Sequence, residues 1–393
     1  MRTLEARLDI LRNEMKNRKI RIMIMGLGSV GGYLLDYLLS EKRQDIEIYI
    51  VGRNKEKMLS DVNIIKVASL IRGQNRTNVK IIDNIDFNDI NAIKECLLVC
   101  QPDIIVNSSR VYSGIKYGSI SWKNIRSYGI WAPLATKYIK NIMEAYEMAA
   151  SNAIVINTSY SDAVIPWLKS AGKAYPDFGS GNLNHLIPRI KFAVSEKCNI
   201  DDWWNIDVTY AVSHFHDVVI SKEGQTEQVK QLIDIRYKSR KLELDLDEIF
   251  SMCCIAMPVD AKRNMMNASS NYEIICGILN AVKNADKVKL HCPGAFGEIG
   301  GYPVVIDGSE KSMKAYIDES KFSLETMRAK NRESIYLDGI QNVENGVLYY
   351  TDELIKKTKK AFGVTLMKKV AFDEIDDVTY FLVKEIIEKQ IKE

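Results

Sequence analysis

The strongest constraint on this chain is Gly26-Leu27-Gly28-Ser29-Val30-Gly31-Gly32, which directly follows the apolar run Ile22-Met23-Ile24-Met25. A strand leading into a Gly-x-Gly-x-x-Gly turn, with a helix opening behind it, is a phosphate-cradling unit. The first glycine permits the tight turn and the second lets backbone approach a pyrophosphate. The third allows close helix–strand packing, and the helix N-terminus supplies oriented N–H donors. Gly26, Gly28, Ser29, Val30 and Gly31 are therefore candidate cofactor-binding residues. The next apolar run, Ile46–Val51, ends in Gly52-Arg53-Asn54. An NAD site normally places an acidic residue there, on the ribose 2′-hydroxyl; Gly52 removes it. The Arg53 fork suits a 2′-phosphate, with Asn54 beside it. NADP is the expected coenzyme; an Arg53 stacked on adenine would serve either one, so NAD stays open.

The surrounding pattern alternates short apolar runs with helical stretches. Strands are expected at 21–25, 46–51, 79–82, 103–107 and 153–156. Helices are expected at 30–41, 54–72, 88–99 and 134–150. That rhythm implies βαβ units and a parallel sheet. Beyond residue 165 it changes to a strand at 204–212, helices at 226–233 and 271–282, and a closing helix at 373–392. The expected fold is α/β, an N-terminal Rossmann doubly wound parallel sheet with a C-terminal mixed α+β substrate domain. Residues 1–18 form an amphipathic helix with Leu4, Leu8, Leu11 and Met15 on one face, 19–165 the dinucleotide-binding domain, and 166–393 the substrate domain.

Composition narrows the partners. Lys and Arg total 54 against 51 Asp and Glu, a net charge of +3 with no basic stripe, so no nucleic-acid partner is expected. No apolar run is long enough to span a membrane, and the first residues lack a signal-peptide core. The 7 cysteines are an odd set without CxxC spacing. They read as reduced thiols of a cytoplasmic protein, adjacent Cys253 and Cys254 as core residues, and no metal site is expected.

Further segments follow in a recognisable order. They are Ile104-Ile105-Val106-Asn107-Ser108-Ser109-Arg110, Asn157-Thr158-Ser159-Tyr160-Ser161-Asp162, Gly179-Ser180-Gly181-Asn182-Leu183-Asn184 and Ser213-His214-Phe215-His216-Asp217. In this order the chain resembles the lactate/malate dehydrogenase family, from about residue 20 to 220 and more faintly beyond. The resemblance implies a nicotinamide-dependent oxidoreductase with a small-molecule substrate, assembled as a homo-oligomer. It places Ser108, Ser109 and Asn157 by the coenzyme, and Ser159 by the substrate. The family's acidic partner of the catalytic histidine is replaced, by Asn184 or by His185 according to a one-residue gap. Its substrate-clamping arginine is absent from the usual register, with Arg189 nearby.

Imidazole suits the proton transfer that accompanies hydride transfer at a carbinol. Read as part of a strand, His214 and His216 share one side, and either can be the acid/base. His185 is a candidate substrate-binding residue. The stretch 110–126 reads as the mobile loop of the family, with Arg126 or Arg110 polarising the substrate carbonyl as it closes. Tyr112, Tyr117, Trp122, Tyr128 and Trp131 make this region aromatic, suggesting a larger, partly apolar substrate or a subunit interface. The leading expectation is an NADP-dependent dehydrogenase acting on a hydroxy/oxo or amino/imino substrate, the latter as in opine and saccharopine dehydrogenases. Two other classes stay open. One is a hydrolase like the family-4 glycosidases, with dinucleotide and a metal on Cys198 and His214; the other is a non-catalytic NADP-binding regulator.

Overall fold

The computed structural model describes residues 2–392. Helix α1 (Leu4–Asn17) is capped by Thr3 and buries Leu4, Leu8 and Leu11. Six strands follow: β1 (Ile20–Met25), β2 (Ile46–Val51), β3 (Asn78–Ile82), β4 (Ile104–Asn107), β5 (Ile154–Asn157) and β6 (Phe178–Gly179). They form one parallel sheet in the order β3-β2-β1-β4-β5-β6. The central strands are near-continuous runs of Ile, Val and Met because both faces are covered. The covering helices are α2 (Ser29–Ser40), α3 (Lys55–Ile71), α4 (Ile90–Cys100), α5 (Gly114–Ile125), α6 (Ala132–Met148) and α7 (Ser161–Ser170). The strand order reverses between β1 and β4, the crevice where doubly wound folds bind ligands. The sixth strand lies past residue 165, so the parallel sheet continues beyond the expected boundary.

The rest of the chain is mixed. Helices α8 (Leu183–Cys198) and α9 (His214–Glu223) pack together on the antiparallel set β7 (Ile206–Ala211), β8 (Leu232–Tyr237) and β9 (Arg240–Lys241). Helix α10 (Leu246–Met252) packs on α8, and α11 (Asn264–Asn284) lies along α2. Two three-stranded sheets complete it, β10 (Lys287–Pro293) with β11 (Gly301–Asp307) and β12 (Lys314–Ile317), then β13 (Ile340–Glu344) with β14 (Val347–Tyr350) and β15 (Lys369–Ala371). Helices α12 (Leu324–Leu337), α13 (Asp352–Phe362) and α14 (Ile375–Leu382) flank them.

Three expectations are corrected and one holds. The stretch 226–233 is not a helix: it is a turn running into β8, whose antiparallel pairing with β7 buries Ile235. The stretch 110–126 is not an open loop, because 114–125 form α5. The closing helix is present, running without a break from α14 through one wider helical turn at Val383–Ile387 into α15 (Glu388–Lys392). Cys254 is exposed, whereas Cys253 is buried. Among the described residues no helix is long and apolar enough to cross a membrane.

Candidate active site

One cavity of about 770 Å³ runs from the glycine turn across the switch point to the inner ends of α8 and α9. At its first end the backbone explains the glycines. Gly26 has φ +91°, and a Cβ there would stand 2.8 Å from Ser109 Cα. A Cβ on Gly31 would meet the Gly26 carbonyl at 2.4 Å, whereas one on Gly28 would meet nothing within 4 Å. Gly31 therefore serves packing, and Gly28 leaves open space at the N-terminus of α2. That open cradle fits a pyrophosphate. Gly26, Gly28, Ser29, Val30, Arg53, Asn54, Ser108 and Ser109 all line the cavity; Gly31 does not. The Arg53 side chain is 63% exposed and only loosely paired with Asp86, at 3.8 Å. Its guanidinium is thus available to a group in the cavity. Asn157 is buried off the cavity, bonding Asn107, Ser159 and Ser161, so it holds β4 and β5 in place.

At the other end stands His214, the first residue of α9. Asp162 caps this helix, its Oδ1 accepting from the His214 backbone N–H at 3.0 Å while Oδ2 accepts from Asn182 Nδ2. The imidazole Nδ1 lies 2.8 Å from Asp338 Oδ2, which also accepts from the Tyr160 hydroxyl at 2.7 Å. Asp338 Oδ1 takes the Tyr128 backbone N–H at 2.7 Å. The rings of Tyr128 and Tyr160 stand edge-on to the imidazole, at 4.6 and 5.0 Å. With Nδ1 held by the carboxylate, Nε2 is the nitrogen left for a reacting group. Burial alone would lower the His214 pKa, but the charge and hydrogen bond of Asp338, with Asp162 and Asp217 behind, raise it above the usual value.

His216 is removed from the candidate acid/base set. Residues 213–217 are not a strand: the helix begins at His214, so a neighbour two positions on turns to another side. His216 bonds Ser334 through Nδ1 and the Thr226 carbonyl through Nε2, off the cavity, and burial lowers its pKa to about 4. Asn184 is likewise displaced, bonding Glu273 on α11. Arg126 ends α5 in pairs with Glu223 and Glu227 and does not line the cavity, whereas Arg110 does, donating to the Tyr117 hydroxyl. Ser159 is buried off the cavity; His185 lines it, its pKa pulled down to about 3 by burial and then by Arg189.

Asp338, Arg189 and Arg263 complete the site. Arg189 sits two turns along α8 from Asn182, and its Nη1 donates to the Cys253 carbonyl at 3.0 Å. Asp338 is 124 residues from His214 and sits in an ordinary Asp-Gly helix exit, so no local motif marks it. Tyr112, Tyr117, Tyr128 and Trp131 line the cavity, whereas Trp122 does not.

No known family profile matches the chain, and no curated protein sequence does. Solved structures do. The lactate dehydrogenase of Cryptosporidium parvum, complexed with lactic acid and nicotinamide adenine dinucleotide, superposes with a TM-score of 0.54 at 13% identity, covering 82% of this chain and 97% of its own. The malate dehydrogenase of Aeropyrum pernix gives 0.52 at 14% identity over 81% and 97%. The fold is that of the lactate and malate dehydrogenases. The malate dehydrogenase of C. parvum agrees, at 0.51 and 13% over 81% and 98%. Within this dehydrogenase fold, the carboxylate on the candidate histidine comes from the exit of α12, while Asn184 stands in the Gly-Ser-Gly segment.

Proposed function

We propose that the protein is an NADP-dependent oxidoreductase that transfers a hydride between the nicotinamide and a hydroxy/oxo substrate, with His214 as acid/base. The observation that carries this reading is the shared cavity: an open glycine cradle at one end and a carboxylate-held imidazole at the other. Bound at the cradle, the coenzyme supplies or accepts the hydride. Gly28 and the N-terminus of α2 hold its phosphates, and Arg53 recognises a 2′-phosphate. Asp338 fixes the imidazole so that Nε2 gives a proton to, or takes one from, the substrate oxygen. Arg189 and Arg263 hold an anionic group of the substrate, and the surrounding tyrosines exclude water.

The raised His214 pKa favours the protonated imidazole near neutrality, the form that carbonyl reduction needs. Reduction should therefore weaken as pH climbs past that pKa, and oxidation should strengthen. The test is coenzyme oxidation with a panel of 2-oxo acids, in the parent protein and in His214→Gln. Turnover should fall by about 10²–10⁴-fold in the variant while coenzyme affinity holds; unchanged turnover would remove the histidine from the chemistry. The glycosidase reading finds little support, since Cys198 does not line the cavity with His214.

A further inference from the structure

Helix α9 shows the cavity one face, His214, Asp217, Val218, Ser221 and Lys222, in two rows at the three- and four-residue spacing that stacks side chains on one side of a helix. Helix α8 opposes it with His185 and Arg189. The hydride chemistry proposed above employs His214 and Arg189, leaving Asp217, Ser221 and His185 without a task. Each of the three holds a buried polar atom with no hydrogen-bond partner: Asp217 Oδ1, Ser221 Oγ and His185 Nε2. Among the described residues nine side-chain atoms are in this condition, and five of them, these three with Arg189 Nε and Trp131 Nε1, belong to residues of this cavity wall. Buried polar atoms are almost always satisfied, so their concentration at one wall points to groups completed by a ligand.

Their chemistry specifies that ligand. Burial raises the Asp217 pKa to about 7, and a donor brought to its Oδ1 favours the ionised form, which only accepts. His185 is neutral, because burial holds its pKa at about 3, so its ring carries one N–H and one acceptor nitrogen. Its Nε2 can be either of these. Ser221 can do either. One acceptor beside two adaptable groups calls for a hydrogen-bond donor.

We propose that the α8–α9 face is a second substrate subsite, which takes a hydrogen-bond-donating substituent, an amino or hydroxyl group, carried near the reacting carbon. This rests on the dehydrogenase reading of the cavity and narrows it: the substrate is a polyfunctional acid and not a plain 2-oxo or 2-hydroxy acid. Asp217 lies one helical turn from His214, which sets the substituent close to the carbon that exchanges hydride.

Lactate, glycerate and isoserine differ only at C3, which bears hydrogen, hydroxyl or ammonium. Calorimetric titration of each, as both enantiomers, into protein mixed with reduced coenzyme measures binding without turnover. Glycerate or isoserine should bind at least about tenfold more tightly than lactate. Asp217→Leu, similar in shape and without the acceptor, should erase that preference, and Ser221→Ala should weaken it. Asp217→Asn, which keeps an oxygen, should retain a preference for hydroxyl and lose one for ammonium. Equal binding of the three acids, binding of none, or a preference that survives Asp217→Leu overturns the subsite. Turnover of lactate without preference would uphold the hydride reading while removing this one; a preference without turnover of any 2-oxo acid would do the reverse.

Discussion

Three side chains fix the chemistry assigned to this cavity, and each can be isolated. Asp338 acts through His214 and is a positioning residue. Asp338→Asn should lower turnover and shift the pH profile downward, because the carboxylate that raises the imidazole pKa has lost its charge. An unshifted profile would deny that coupling. Arg53→Ala should weaken NADP binding by tenfold or more, on the order of 1–3 kcal/mol for a charge-assisted pair, and leave NAD nearly unaffected. Equal losses would mean that Arg53 only stacks on adenine. Asp217 carries a stability signature of its own. Burial raises its pKa from 3.8 to about 7, so the native state binds more protons than the unfolded chain between those values. Stability should fall as pH rises through that window, and above it the buried carboxylate is an uncompensated charge. Asp217→Asn should therefore raise the melting temperature at pH 8, by about 2 °C or more, and have no such effect at pH 3.5.

At the scale of elements, the glycine turn is the most exacting piece. Gly31→Ala places a methyl group 2.4 Å from the Gly26 carbonyl, so α2 must shift off β1 and the cradle opens. Loss of both coenzyme affinity and thermal stability is expected, measured by fluorescence titration and calorimetry. The parallel sheet was legible in sequence because β1, β2, β4 and β5 are largely apolar, and because Gly26 and Gly31 stand where only glycine fits. His214 stood out as a candidate too, through its chemistry and its place in the segment order. The acid/base choice stayed open because 213–217 reads as a strand, with period two. Only the helical period of α9 sends His214 and Asp217 to the cavity and His216 away from it. Asp338 was invisible for a different reason: a partner 124 residues distant leaves no spacing to read. Arg189 escaped for a third, since helical register and not its distance from the Gly-Ser-Gly segment decides that it faces the cavity.

At the scale of the molecule, both halves of the chain build one site. The wall of the cavity takes its cradle from β1 and α2 and its reacting end from α8 and α9, while Asn264 of α11 donates to Ser29 at the mouth of the glycine turn. The N-terminal helix is fastened at the far edge of the sheet. Arg7, 3% exposed, pairs with Asp177 just before β6 and donates to the Ala153 carbonyl at 2.9 Å. Removing one member of a buried pair leaves the other uncompensated, so Arg7→Ala should cost about 3–5 kcal/mol in denaturant unfolding. A loss below 1 kcal/mol would mean that α1 is held by its leucines alone. The whole account depends on the glycine cradle holding a nicotinamide coenzyme within reach of His214. Its most direct test is fluorescence titration of the purified protein with NADPH and NADH. Saturable binding of both, tighter for NADPH and lost in Gly31→Ala, is the predicted result; no saturable change with either coenzyme would contradict it.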